Sequence, residues 1–333
     1  MIDDPHLLFN KKAVILFNLG GPSSVDGIEA FLFNLFNDKA IITLPNPFRW
    51  LLAKYIAKGR LNEAKEIYNE IGGKSPILEN TLLQADKLQN LLSQNARFIN
   101  GKNEQYQVFV SMRYSEPFSK SVLKSVMDWN PDEIILLPLY PQYSTTTTQS
   151  SFDDWDYECK LADFQKPTKK IQNYHTDSNF IASHVKLILE QIQNITTPFR
   201  LLFSAHSLPQ KIINKGDPYQ KQIIETVEHI MKKLPKNIDY RICYQSKVGR
   251  LKWLEPSTIF EIEEAGKEKL GLLIVPIAFV SEHSETLVEL DIEYREMAHE
   301  YGVTSYCRVK ALGVDDLFIE ALKNITIQNS IDK

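Results

Sequence analysis

Six short apolar runs, separated by stretches of helical periodicity, constrain this chain more than any other feature. They are Ala13–Leu19 (AVILFNL), Gln107–Met112 (QVFVSM), Glu133–Leu139 (EIILLPL), Arg200–Ser204 (RLLFS), Tyr240–Tyr244 (YRICY) and Leu270–Val280 (LGLLIVPIAFV). Each is too short for an independent helix and is bounded by Gly, Pro or Asn, so each reads as a buried strand. Helical patterns such as Thr81–Leu92, Phe180–Asn194 and Tyr219–Leu234 lie between them. Strands alternating with helices imply crossover connections and parallel sheets.

The order of the runs also repeats. ILFNLGGP near Ile15 matches LLFSAHSLP near Leu201, and VFVSMRYSEP near Val108 matches YRICYQSKVG near Tyr240. ILLPLYPQYSTTTT near Ile135 matches LLIVPIAFVSEHSET near Leu272, each with a mid-run Pro before a Ser-rich turn. Such a Pro marks an edge strand or a strand end. The expected fold is α/β: two similar Rossmann-like halves, each a parallel sheet flanked by helices, with the active-site cleft between them. The expected N-terminal half spans 11–160, with an apolar insertion over about 22–75, and is joined by a closing helix over 315–328. The expected C-terminal half spans 165–312. A length of 333 residues suits two domains.

Composition excludes several classes. A net charge of -4 and a pI near 6.0 do not suit a nucleic-acid binder. Cys159, Cys243 and Cys307 form no CxxC pair, which argues against a zinc or iron–sulfur site built from them. The start, MIDDPHLLFNKKAVILF, lacks the pattern of a signal peptide. No apolar run reaches the ~20 residues that span a bilayer. A cytoplasmic protein is expected. The insertion (AFLFNLF, IITLPNPFRWLL) reads either as core or as an apolar lip, around a large flat ligand or against the inner face of a membrane.

In open parallel sheets ligands bind beyond the carboxyl ends of the strands. His206 in SAHSLP stands at such an end and can act as base or metal ligand near neutral pH. After the last apolar run comes SEHSETLVELDIEYREM, where Glu285, Glu289 and Glu293 fall at i, i+4 and i+8. On a helix they share a face, a spacing at which like charges repel. That face is either solvated or a carboxylate track for a cation or for protons, with His283 beside it. Arg60, Arg113 and Lys247 suit carboxylates on a ligand. Neither GGPSS nor GGKSP has the spacing of a dinucleotide or P-loop site.

Together these motifs resemble the ferrochelatases. The residues that carry the resemblance are NLGGP (Asn18–Pro22), IGGKSPI (Ile71–Ile77), RYSEP (Arg113–Pro117), PLYPQYS (Pro138–Ser144), SAHSLP (Ser204–Pro209), GDPY (Gly216–Tyr219), QSKVG (Gln245–Gly249), WLEP (Trp253–Pro256) and FVSEHSETLVELDIEY (Phe279–Tyr294). They cover nearly the whole chain in family order. The resemblance implies a lyase that inserts Fe²⁺ into protoporphyrin IX, the terminal step of haem biosynthesis. A coproporphyrin III ferrochelatase is the nearest alternative and a non-catalytic haem or metal carrier the more distant one. It implies that His206 and Glu285 are catalytic and ligate iron. Glu282, His283 and Glu289 match an acidic path on an irregular helix. Arg60, Tyr68 and Ser75 match propionate contacts. Leu19, Tyr114 and Trp253 would line the macrocycle pocket, with Arg113, Gln245 and Lys247 also expected to contact porphyrin. Some members hold a [2Fe–2S] cluster through a Cys after PQYS and three in a C-terminal tail. Here that position is Thr145 and no such Cys follows, so no cluster and no permanently bound cofactor are expected. Porphyrin and Fe²⁺ are the expected partners, in a monomer or a dimer.

Overall fold

A computed structural model describes residues 9–95, 98–99, 102–247, 249 and 251–330. The first eight residues and Val248 of the QSKVG motif lie outside the described residues. The strands among the described residues are β1 (Phe9–Asn18), β2 (Phe98–Ile99), β3 (Lys102–Met112), β4 (Glu133–Pro138), β5 (Thr168–Lys170), β6 (Phe199–His206), β7 (Tyr240–Gln245), β8 (Gly271–Pro276) and β9 (Tyr306–Arg308).

They form two sheets, ordered β2-β3-β1-β4-β5 and β7-β6-β8-β9. Apart from the short antiparallel β2, both are parallel, and β3-β1-β4-β5 and β7-β6-β8-β9 are the same order. Phe17 pairs with Pro138 and Ser204 with Pro276, so the two sheets also share a register. Both prolines end inner strands, which resolves the two readings of that residue. The first sheet runs on to Lys170, past the expected end at residue 160.

Alternate strand residues face opposite sides of a sheet. Val14, Leu16, Ile135 and Leu137 of the first sheet and Leu201, Phe203, Leu273 and Val275 of the second enter one shared core. The helices Ile77–Gln94, Ser178–Ile192, Tyr219–Met231 and Asp316–Gln328 supply much of what packs around them. The alternate residues Ala13, Ile15, Phe17, Ile134 and Leu136 pack beneath Phe152 and Trp155, while Leu202, Leu272 and Ile274 pack beneath Ile262 and Leu290.

Polar side chains also cross between the halves. Gln84 is fully buried; its Nε2 donates to the carbonyls of Val280 (3.1 Å) and Gly313 (2.9 Å), and its Oε1 accepts from Ser281. Asp217 accepts from the Thr145 backbone N–H and hydroxyl, both at 2.7 Å, and from Ser144. Asp315 caps the last helix and binds Ser183 and Lys186 on Ser178–Ile192.

The insertion divides between the two readings made for it. Ile28, Phe31, Leu32 and Ala57 are core. Phe48 (64% exposed), Leu51 (56%) and Tyr55 (78%) on the helix Phe48–Gly59 are not. Among the described residues no helix is long and apolar enough to cross a membrane.

Candidate active site

The carboxyl ends of β6, β7 and β8 build the site. At the end of β6 the His206 ring is about one-third exposed, and its Nδ1 lies 2.6 Å from the Ser207 carbonyl. A carbonyl only accepts, so Nδ1 carries a proton, and in the neutral ring Nε2 presents its lone pair. The Tyr219 hydroxyl donates to the His206 carbonyl (3.0 Å), and Ser207 N–H donates to Gln245 O (2.9 Å), fixing the strand end from two sides.

Nε2 of His206 stands 3.7 Å from Glu285 Oε1, and His283 Nε2 stands 3.5 Å from Glu285 Oε2. Burial raises the Glu285 carboxyl, but the two imidazoles outweigh it and bring it down to about 2. Glu285 is therefore a carboxylate at neutral pH, and it stabilises a proton or cation arriving at Nε2. Buried His283 packs its ring 4.5 Å from that of Phe279.

The acidic segment is an irregular helix, as the resemblance implied, and not the regular one that the i, i+4, i+8 spacing suggests. Glu285–Glu293 is a π-helix, with i→i+5 bonding, rather than an α-helix. Glu289 accepts from Gln245 Nε2 (2.8 Å), Ser246 N–H (2.9 Å), the Ser246 hydroxyl and the Tyr294 hydroxyl (2.8 Å). These donors explain how like-charged residues tolerate the spacing. Burial first, then Glu289, Glu63 and Glu296, raise the Glu293 carboxyl. Glu63 belongs to the insertion helix Leu61–Asn69, so that helix faces the outer end of the acidic segment.

Residues 11–330 match the family model for ferrochelatase. A ferrochelatase of Wolbachia sp. subsp. Drosophila simulans (strain wRi) is 52% identical over 321 residues, covering 95% of this chain and 99% of that protein. One of Pelagibacter ubique (strain HTCC1062) is 48% identical, covering 96% and 92%. The chain belongs to the ferrochelatase family. It is accordingly a metal-inserting lyase acting on a porphyrin and iron. SirB from Bacillus subtilis with Fe³⁺ superposes with a TM-score of 0.56 at 10% identity, over 97% of this chain and 96% of that one, and so shares the fold.

Within this ferrochelatase the expected site residues fall into three groups. His206, His283 and Glu285 come together as described, and Trp253 bridges to Pro209 just beyond His206. A second group serves as internal bracing. Gln245 is 1% exposed, with its amide committed to Glu285 O, Glu289 and Ser204, so it offers nothing to a porphyrin. Tyr114 is equally buried and donates to Asp38, to which Arg113 is also paired at 2.9 Å. Glu282 is drawn out of the track by Arg308 (2.9 Å) and by Ala311 N–H (2.8 Å). Ser75 packs against Gly21, where an added Cβ would lie only 2.5 Å from the serine Cβ. At Gly20, φ is +86° and a Cβ would lie 2.4 Å from Ser115 Oγ, so NLGGP needs its glycines for close approach.

The third group lines the insertion and the rim. Tyr68 lies near Glu285: its hydroxyl bonds Ser284, and burial, aided by the Glu285 charge, pushes the phenol up to about 12. Arg60 pairs with Glu63 (3.2 Å), Lys247 lies 3.8 Å from Glu255, and Leu19 packs beside Tyr114. The sequence reading passed over Asp38, Asp217 and Arg308. Of these only Asp217 had a local signal, within GDPY.

Proposed function

We propose that the chain inserts Fe²⁺ into protoporphyrin IX to give protohaem, the terminal step of haem biosynthesis, with His206 and Glu285 as the reacting pair. The observation that carries this is His206 Nε2, left free by the Nδ1 bond to Ser207 O, facing an ionised Glu285 at 3.7 Å. Insertion replaces two pyrrole N–H bonds with nitrogen–metal bonds and releases two protons. Nε2 accepts a pyrrole proton, and Glu285 holds the resulting imidazolium and passes the proton toward Glu289 and Glu293. The same two groups can ligate incoming iron.

Exposed Phe48, Leu51 and Tyr55 favour the more apolar dicarboxylate porphyrin over a tetracarboxylate. With Arg49, Lys54 and Lys58 on the same helix, they also suit peripheral contact with an anionic bilayer. The enzyme works without a [2Fe–2S] cluster: Thr145, at the position where some relatives have Cys, spends its hydroxyl on Asp217.

The test is anaerobic Fe²⁺ insertion into protoporphyrin IX and coproporphyrin III, by wild type and His206→Ala. Preference for protoporphyrin, with insertion lost and porphyrin binding kept in the variant, is expected. Preference for coproporphyrin sinks the substrate assignment, and wild-type turnover by the variant sinks the role of His206. Purified protein should show no iron–sulfur absorbance.

A further inference from the structure

A π-helix is rare, and its i→i+5 bonding makes nine consecutive residues of it dependent on outside support. Part of that support comes through Glu289, held by Gln245, Ser246 and Tyr294. More comes from β9, a three-residue edge strand to which the mechanism assigns nothing.

The Arg308 side chain is 7% exposed. Its Nε and Nη2 donate to the two oxygens of Asp291, at 2.8 and 2.6 Å, and its Nη1 donates to Glu282 Oε1 at 2.9 Å. Glu282 stands just before His283, and Asp291 stands two residues beyond Glu289. One guanidinium therefore ties together both ends of the segment that holds His283, Glu285 and Glu289. The Tyr306 hydroxyl donates to the Leu290 carbonyl at 2.6 Å, inside the π-helix. Arg295 closes the loop, donating to Asp291 O (2.9 Å) and Tyr306 O (3.0 Å).

We propose that Arg308 and Tyr306 are positioning residues that hold the 282–291 segment in its π register and thereby set where Glu285 stands against His206. The proposal rests on the assignment of His206 and Glu285 as the reacting pair. Relaxation to an α-helix shortens each hydrogen-bonded loop from i→i+5 to i→i+4. The spacing of Glu282 and Asp291 then no longer matches one guanidinium, and Glu289 rotates away from Gln245 and Ser246. Lysine keeps the charge but lacks the planar fork that spans two carboxylates.

Arg308→Lys and Arg308→Gln test the clamp. Tyr306→Phe removes one hydroxyl without disturbing a charge, and it carries the test should the Arg308 variants fail to fold. The readouts are kcat and KM for Zn²⁺ insertion into protoporphyrin IX, melting temperature, and amide exchange across 285–294. In the Arg308 variants kcat should fall by about tenfold or more, with KM for porphyrin within about twofold and exchange accelerated over that segment. Tyr306→Phe should move the same readouts in the same direction by roughly two- to fivefold. Wild-type kcat and exchange in Arg308→Lys and Tyr306→Phe would overturn the proposal. So would a uniform loss in which kcat, KM and melting temperature deteriorate together. Glu285→Gln, run alongside, separates the two claims: its full activity would remove the reacting pair, whereas the exchange rates report on the clamp alone.

Discussion

The two halves share a strand order and a register, yet their strand ends hold different chemistry. Counting two residues past the Pro138 and Pro276 partners puts Leu19 where the second half has His206. Nine residues past the same prolines, Thr147 stands where the second half has Glu285. The first half has spent its strand-end groups on structure: Asn18 donates to Thr81, Gln142 to Thr226, and Thr145 to Asp217. The second half instead sets the His206 and His283 imidazoles against the Glu285 carboxylate, at 3.7 and 3.5 Å.

The sharpest way to break this contrast is to move the base. Leu19 sits in an apolar cluster with Val25, Phe33 and Tyr114. The double variant His206→Ala, Leu19→His should therefore remain at background, at least about a thousandfold below wild type, in an anaerobic insertion assay. Recovery of activity would mean that the halves are interchangeable.

Next come the paired positions after the prolines. If Glu285 stabilises a His206 imidazolium as proposed, Glu285→Gln should lower kcat by roughly a hundredfold. Thr147→Ala, at the matching place, should stay within about twofold of wild type. Steady-state kinetics on the two variants decides whether the asymmetry is functional.

Gln84→Leu tests the coupling of the halves. It leaves the Val280 and Gly313 carbonyls and the Ser281 hydroxyl without their partner, so unfolding free energy should drop by about 2–4 kcal/mol in denaturant titrations.

The smallest effect is a slope. Burial lowers His184 from its ordinary value to about 3, against a weak upward pull from Asp315. Between pH 6.5 and 3 the unfolded chain binds a proton there that the folded chain refuses. Stability should therefore fall below pH 6.5, by roughly 1.4 kcal/mol per pH unit from this group, and be indifferent to it above. His184→Leu should flatten that part of the pH profile.

Much of this was legible in the sequence. Apolar strands inside a two-sided sheet advertise themselves, and all six expected runs are strands. β5 and β9 were invisible because three-residue edge strands with one exposed face carry no apolar run. His206 and Glu285 were readable as residues that follow strands, and they stand 3.7 Å apart. The irregular helix came only from the resemblance; its π geometry was not readable in the spacing of 285–293, because the groups that meet it, Gln245, Ser246 and Arg308, are distant in sequence. For the same reason Gln245 and Glu282 looked like ligand-facing groups. A polar residue after a strand is equally suited to facing a ligand and to bracing a neighbour, and only the fold reveals its partner.

The core common to both sheets has a consequence for motion. A cleft between two lobes usually invites a clamshell movement about a hinge, but here Leu16, Leu137, Phe203 and Val275 pack into one continuous interior. Prising the lobes apart would flood that interior. A rigid, flat macrocycle must then come and go past a fixed floor, and whatever gives way has to be thin and peripheral. The helix Phe48–Gly59, with Phe48, Leu51 and Tyr55 turned to solvent, is a part of the molecule that answers that description.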